Sequence, residues 1–278
     1  MQPLNIKGKV MDKQKILNKY TKPEDKLLIS KLIDKMELAT AKNKIEYTDF
    51  LDLYQKHLLE KILRQENIKN YIITGGIEEA ERNIVLFYPE KLSDIINKDY
   101  SKAIPINCIR IKLPKEMYNK YTHRDYLGGL IKLGLKREKI GDILVFEDGA
   151  DILVLNEISK FLINNLNSLT RFSKSVIEKV QLHEVRKKEV NKQEMKIIVP
   201  SMRMDCIVAE ILNTSRGNAE EIISAGRVYV NFENIEKQTK QIQENDIITI
   251  RGKGRFEVGN IEGKTRNDRI KLIVNKFV

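Results

Sequence analysis

Apolar residues recur at two spacings along this chain, and the change of spacing divides it. In LLISKLIDKMELAT (27–40) and DFLDLYQKHLLEKIL (49–63) they return every three or four positions. That is the signature of one buried helix face, so residues 1–70 read as a helical domain. Pro23 followed by Glu24 and Asp25 predicts a helix start. From Tyr71 the period shortens. YIITGG, NIVLFYP and PINCIRIKL read as strands, HRDYLGGLIKLGL as a helix, DILVF and ADILVL as a hairpin, and EISKFLINNL as a second helix. VIEKVQLHEV and MKIIVP read as strands around the polar run KKEVNKQE, with a domain boundary near Pro200. The expected fold class is α+β. Residues 71–199 form a ferredoxin-like or RNA-recognition-like middle domain with a charged connector, and 200–278 a small α+β domain with a basic tail.

The last domain carries the candidate chemistry. Ile207, Val208, Ile211 and Leu212 give one helix a buried face. In the next, Thr214 or Ser215 caps the opening turn, Ala219, Ile222 and Ile223 point inward, and Gly226 ends it with positive φ. Arg216 and Asn218 are left outward beside open backbone N–H groups. Those amides, the helix dipole and a guanidinium all attract phosphate. A strand follows with Val228 and Val230 inward and Arg227, Tyr229 and Asn231 outward. A return strand over Ile247–Ile250 leads to Arg251, Lys253 and Arg255, after a turn at Asn245 that tolerates a left-handed residue. Tyr229 is placed to stack on a base or to cover the sheet. Arg203, Ser215 and the tail residues Lys264, Arg266 and Arg269 complete the candidate RNA-binding set. Asp205 would repel phosphate unless it orients Arg203.

The order of helix, helix, strand, turn and strand, with Arg203 and Asp205, SR at 215–216, Ala219, Gly226 before VYVN, and Asp246 before IITIRG, resembles the RNA-binding module of small-subunit ribosomal protein S-four. Such modules usually have Gly after that Asn; this chain has Phe232, which departs from the tight-turn pattern and resembles one bacterial subgroup, the YlmH family. HRDYLGGLIKLGLKREKIGDILV (123–145) and GRFEVGNIEGKTRNDRIKLIVNKF (254–277) are similar to that family's central and terminal signatures. The resemblance implies a bacterial, cytoplasmic, non-catalytic protein of ribosome-associated quality control. It further implies binding to rRNA and tRNA of a large ribosomal subunit that still carries peptidyl-tRNA, and tail addition together with an RqcH-type factor.

Composition agrees but does not single this out. The formal net charge is +11, which favours polyanionic partners. Residues 200–256 nevertheless hold eight Lys and Arg against eight Asp and Glu. A binding face there requires segregation, with Arg203, Arg216, Arg227 and Arg251 apart from Glu220, Glu221, Glu233 and Glu236. Arginines locked into internal acid pairs would defeat the reading. The Lys-rich face of residues 1–70 reads as a solvated surface.

Enzymatic alternatives fare worse. His123, Arg124 and Asp125 spell the HRD of a kinase catalytic loop, yet no Asn follows at the required spacing and no glycine-rich loop or DFG is present. A pseudouridine synthase would need a His-Arg-Leu-Asp setting, which is absent. Asp125 reads as a helix-start residue and His123 and Arg124 as possible RNA or partner contacts. A cell-division-associated adaptor is the remaining alternative. The three histidines and two cysteines lack metal-ligand spacing, so no metal and no cofactor are expected. Cys108 and Cys206 read as small buried hydrophobes in a reducing cytosol. No run of about 18 apolar residues appears, and MQPLNIKGKVMDKQK has no apolar core of a secretion signal. A monomer without membrane association is expected.

Overall fold

The computed structural model describes residues 5–6, 9–10, 12–187 and 191–277. It divides into two compact units, Met1–Lys187 and Lys188–Val278.

The first unit opens with a short antiparallel pair, β1 (Asn5–Ile6) and β2 (Lys9–Val10), within the amino-terminal stretch whose remaining residues lie outside those described. Helices α1 (Lys13–Leu17), α2 (Pro23–Ala41) and, after β3 (Glu46–Tyr47), α3 (Leu53–Gln65) follow. Pro23 stands at the first position of α2 with Glu24 and Asp25 in its first turn, where proline's fixed φ suits a helix start and carboxylates suit the dipole. A reciprocal cap opens α3: the Gln55 amide donates to Asp52 at 2.8 Å and the Asp52 amide to the Gln55 side chain at 3.0 Å. β4 (Tyr71–Thr74) and β5 (Ile84–Phe87) join β3 in an antiparallel sheet of order β3-β5-β4. Val85 and Phe87 share one core with Ile29, Ile33, Leu59 and Leu63 of the helices. The division expected at residue 70 therefore falls inside a continuous core.

After α4 (Ser93–Lys98) come β6 (Ile106–Lys112), α5 (His123–Lys132), β7 (Ile140–Phe146), β8 (Gly149–Leu155), α6 (Asn156–Asn165) and β9 (Val176–Val180). This is the βαββαβ order of a ferredoxin-like fold. Its antiparallel sheet runs β7-β8-β6-β9. One face packs Ile109, Ile111, Ile152 and Val154 against Tyr126 and Leu130 of α5 and Leu162 of α6. The other face, which an RNA-recognition motif keeps open for bases, is covered. Cys108, Leu153 and Leu155 pack there with Phe50, Ile84 and Val185, and all seven residues of β8 are buried.

The second unit is one antiparallel sheet of order β10-β15-β14-β13-β11-β12 with two helices on one face. Its elements are β10 (Lys192–Val199), α7 (Met204–Ile211), α8 (Arg216–Ser224), β11 (Val228–Val230), β12 (Glu233–Asn234), β13 (Ile247–Ile250), β14 (Gly254–Lys264) and β15 (Ile270–Phe277). Two expectations are corrected. The boundary lies at Lys187/Lys188 rather than Pro200, because β10 pairs with β15 from Lys192↔Phe277 to Val199↔Ile270; residues 188–190 of the charged connector lie outside those described. The basic tail is two strands of this sheet, whose Val258, Leu272 and Val274 are core residues. No helix of the described residues is long and apolar enough to cross a membrane.

Candidate nucleic-acid interface

The start of α8 gathers the strongest group. Ser215 caps it, its hydroxyl oxygen accepting from the Asn218 amide at 3.2 Å. The N–H groups of Arg216 and Gly217 have no acceptor among the described residues, as expected of a first helical turn. The helix ends as expected: Gly226 has φ 68°, its amide donates to the Ile223 carbonyl at 2.9 Å and that of Arg227 to Ile222 at 3.3 Å, a Schellman closure.

Behind this helix start lies Asp205, wholly buried. Arg203 donates to it from Nε (3.1 Å) and Nη2 (2.7 Å), and Arg216 from Nε (2.9 Å) and Nη2 (2.7 Å). The Cys206 amide adds a bond of 2.9 Å. Burial alone would raise the Asp205 pKa, but the hydrogen bonds from Arg203 and then Arg216 outweigh it and hold it at about 2. The two guanidiniums are 31 % and 52 % exposed, and Nη1 of each makes no hydrogen bond among the described residues.

This changes the expected picture. Arg203 and Arg216 are both locked into an internal pair with Asp205, and Arg216 also lies 3.3 Å from Glu220, so the expected segregation fails and the expectation that these two arginines act as unengaged cations is overturned. The four charges sum to zero. What the cluster offers an anion is directed N–H groups, held rigid by a carboxylate that orients both arginines.

Other expected contacts have internal partners. Asn218 Nδ2 donates to Thr214 Oγ1 at 3.0 Å. Asn231 spans the β11–β13 junction, donating to Asp246 Oδ1 at 2.7 Å and accepting from the Ile247 amide at 2.9 Å. The turn after Asn231 is tight despite Phe232. Val230↔Glu233 pair directly, so Asn231 and Phe232 alone make the turn, at φ 48° and 69°, the signs a type I′ hairpin requires. Asn245 has φ 69°, as the sequence suggests. Lys264 pairs with Asp268 at 2.7 Å, while Arg269 donates to the Ile198 carbonyl at 2.9 Å and lies 3.3 Å from Glu210. Lys253 and Arg266 are exposed and make no ion pair among the described residues.

A second group forms at the far end of α8, about 14 Å away for nine residues of helix. Arg227 Nη2 donates to the Arg251 carbonyl at 3.3 Å, and the Arg251 guanidinium lies 5.2 Å from the Tyr229 ring. Arg255 lies 5.6 Å from the Phe277 ring. Sequence reasoning missed Phe277 because it sits in a strand read as a tail.

In the first unit the HRD tripeptide opens α5. Asp125 accepts from the Thr122 amide (2.9 Å) and hydroxyl (2.8 Å), and Arg171 lies 3.2 Å from it. The Thr122 bonds, the main cause, lower its pKa. His123 and Arg124 are exposed. Two further arginine clusters tie the sheet's covered face together. Arg110 and Arg186 both bond to the buried Asp151, and Arg186 stacks 4.0 Å from the Phe146 ring. Arg82 Nε and Arg137 Nη1 converge on the Ile140 carbonyl at 3.0 and 2.5 Å. Burial, then the adjacent Arg82 charge, pulls Arg137 down to about 10. No group of three or more His, Cys, Asp or Glu that could hold a metal occurs among the described residues.

A family model described as "Putative RNA-binding domain in YlmH" matches residues 97–194, the stretch that carries the βαββαβ sheet. The chain is also 25 % identical over 250 residues to the ribosome-associated protein quality control protein P2 of Bacillus subtilis (strain 168), an alignment covering 90 % of this chain and 94 % of that protein. The chain is thus similar to the YlmH family in sequence over most of its length. A solved structure, the cell division protein ylmH from Streptococcus pneumoniae, aligns with a TM-score of 0.48 at 19 % identity, over 60 % of this chain and 98 % of that one. In this chain the matched domain has its sheet buried on both faces, so neither face of the sheet is an open platform. The open polar clusters around α8 belong to the second unit.

Proposed function

We propose that this chain is a non-catalytic RNA-binding protein of ribosome-associated quality control, and that its second unit docks on structured RNA of the large ribosomal subunit. The observation that carries this reading is the start of α8, where two guanidiniums fixed from behind by one buried carboxylate stand beside two open backbone amides. Rigid donors of this kind suit the phosphates of folded RNA, whose shape sets their spacing. The near-full-length relative named for quality control, and the match to an RNA-binding domain, support the same class of partner. Peptidyl-tRNA on that subunit and an RqcH-type factor are the further partners of this reading.

The test is co-sedimentation of the purified chain with large ribosomal subunits from about 50 to 200 mM salt. Binding should weaken steadily as salt rises, since Lys253, Arg266, Arg227 and Arg251 release counterions when they meet phosphate. Binding that ignores ionic strength contradicts phosphate recognition. Recovery of an RqcH-type factor on the chain only while the RNA is intact supports a ribosome-mediated partnership, and recovery after nuclease treatment refutes it.

A further inference from the structure

The second unit contains four aromatic side chains, Tyr229, Phe232, Phe256 and Phe277. Only Phe256 is in its core. A small module ordinarily spends its rings on its core, because each buries more apolar surface than any aliphatic side chain. Phe232 occupies the β11–β12 turn. The positions of the other two follow from strand register.

Tyr229 pairs with Thr249 across β11 and β13, and Thr249 with Arg255 across β13 and β14. Phe256↔Lys276 pair across β14 and β15, which sets Arg255 beside Phe277, and Phe277 pairs with Lys192 on β10. Directly opposed residues share a face. Since the neighbours Val228, Val230, Ile248, Ile250 and Phe256 face the helices, the row Tyr229–Thr249–Arg255–Phe277–Lys192 lies on the opposite face, where Lys192 is exposed and the other four are half-buried. It crosses five of the six strands.

Each ring in the row is attended by cations. The Arg251 guanidinium lies 5.2 Å from the Tyr229 ring centre, Arg255 5.6 Å from that of Phe277, and Lys192 Nζ 5.0 Å from Phe277 on β10's side. Lys192 also pairs with Glu257 at 3.1 Å, and the register sets a second acid, Glu194, on the same face beside Asn275. Between the rings, Thr249 Oγ1 is buried without a hydrogen-bond partner. Three strand spacings put Tyr229 and Phe277 about 14 Å apart, a span that a few extended nucleotides bridge.

We propose that this outer sheet face is a stacking platform for single-stranded RNA, with bases on Tyr229 and Phe277 and backbone phosphates taken by Arg251, Arg255 and Lys192. It rests on the RNA-binding reading and adds to it a second, unpaired RNA segment on the side of the sheet away from α8. The cations over the rings are long and rotatable, so a base can take the ring face while the charge swings to the phosphate beside it. Charge complementarity selects a polyanion as the occupant, and the flat, cation-flanked rings select one with unstacked bases. A duplex, whose bases are stacked inward, gains nothing from the rings.

The chain has no tryptophan, so Phe277→Trp places a single indole on the platform. The experiment titrates the full chain with a short oligouridylate and with an RNA hairpin of fully paired stem, reading anisotropy of the labelled RNA and indole emission. The oligouridylate should quench the Phe277→Trp indole, and Phe277→Leu should weaken oligouridylate binding about tenfold while hairpin binding stays as in wild type. Tyr229→Leu should weaken oligouridylate binding by a similar factor. Unquenched indole emission on saturation, or full oligouridylate affinity in Phe277→Leu, overturns the platform. A wild type that binds the hairpin but not the oligouridylate overturns the platform alone; one that binds neither overturns the RNA-binding reading and the platform with it.

Discussion

Replacing Asp205 with Asn removes one charge from the centre of the second unit while keeping its shape. Asp205 is wholly buried and its pKa is held at about 2 against an ordinary 3.8. Each unit of depression corresponds to about 1.4 kcal/mol, so the ionised carboxylate contributes about 2 kcal/mol at neutral pH. The loss of one partner from a fully buried ion pair reaches about 3–5 kcal/mol. Here Arg203 and Arg216 are partly exposed, at 31 % and 52 %, and can turn to water, which keeps the loss near the lower figure. In a unit of about ninety residues, 2 kcal/mol lowers Tm by about 8–15 °C. The sign with pH follows from the depressed pKa: the contribution is fully present above about pH 4 and disappears as pH falls toward about 2. Thermal unfolding of wild type and Asp205→Asn, followed by circular dichroism from pH 7 down to pH 2, should show a gap that is wide at neutral pH and closes in acid. A variant within about 0.5 kcal/mol of wild type at pH 7, or a gap unchanged by acid, refutes the reasoning.

Further expectations come from single positions. Phe232 holds φ 69° in a two-residue turn, a conformation that suits Gly, so Phe232→Gly should stabilise the unit by about 0.5–1 kcal/mol, seen as a higher urea midpoint; a loss of that size contradicts the strain. A Cβ on Gly149 would sit 1.8 Å from the Ile111 carbonyl oxygen, at φ 148°, so Gly149→Ala should destabilise the first unit by about 3 kcal/mol or prevent its folding, and a wild-type melting curve refutes it. Burial pushes the Cys108 thiol up to about 12, so iodoacetamide at pH 8 should label its peptide in urea and leave it unlabelled in the native chain; rapid native labelling contradicts the packing.

Local pattern made much of this fold legible. The alternation in PINCIRIKL, the apolar run in ADILVL and the three-to-four spacing in EISKFLINNL sufficed for the βαββαβ order, because each element carries its own local signal. Gly226, Ser215 and Asn245 were readable for the same reason: their roles are set within a few residues. Long-range pairing was not readable. β10 reads as the end of the middle domain and β15 as a tail, and only their mutual register, Lys192↔Phe277 to Val199↔Ile270, shows that they close one sheet. That register also hides Phe277 from any reading of the sequence alone. Charge partners were legible in part. Asp205 could be recognised as the acid that orients Arg203, but its capture of Arg216, eleven residues on, depends on how α7 meets α8. Nor does the strand pattern reveal that the middle sheet's second face is sealed by Phe50 and Ile84, elements that precede it in the chain.

The most direct test of the α8 site is the affinity of the Arg216→Gln variant for large ribosomal subunits at fixed salt, with its unfolding curve measured alongside. Arg203 still engages Asp205 in this variant, so the unit should remain folded while affinity falls about tenfold, the worth of one charge-assisted contact. A folded Arg216→Gln that binds as tightly as wild type contradicts the account.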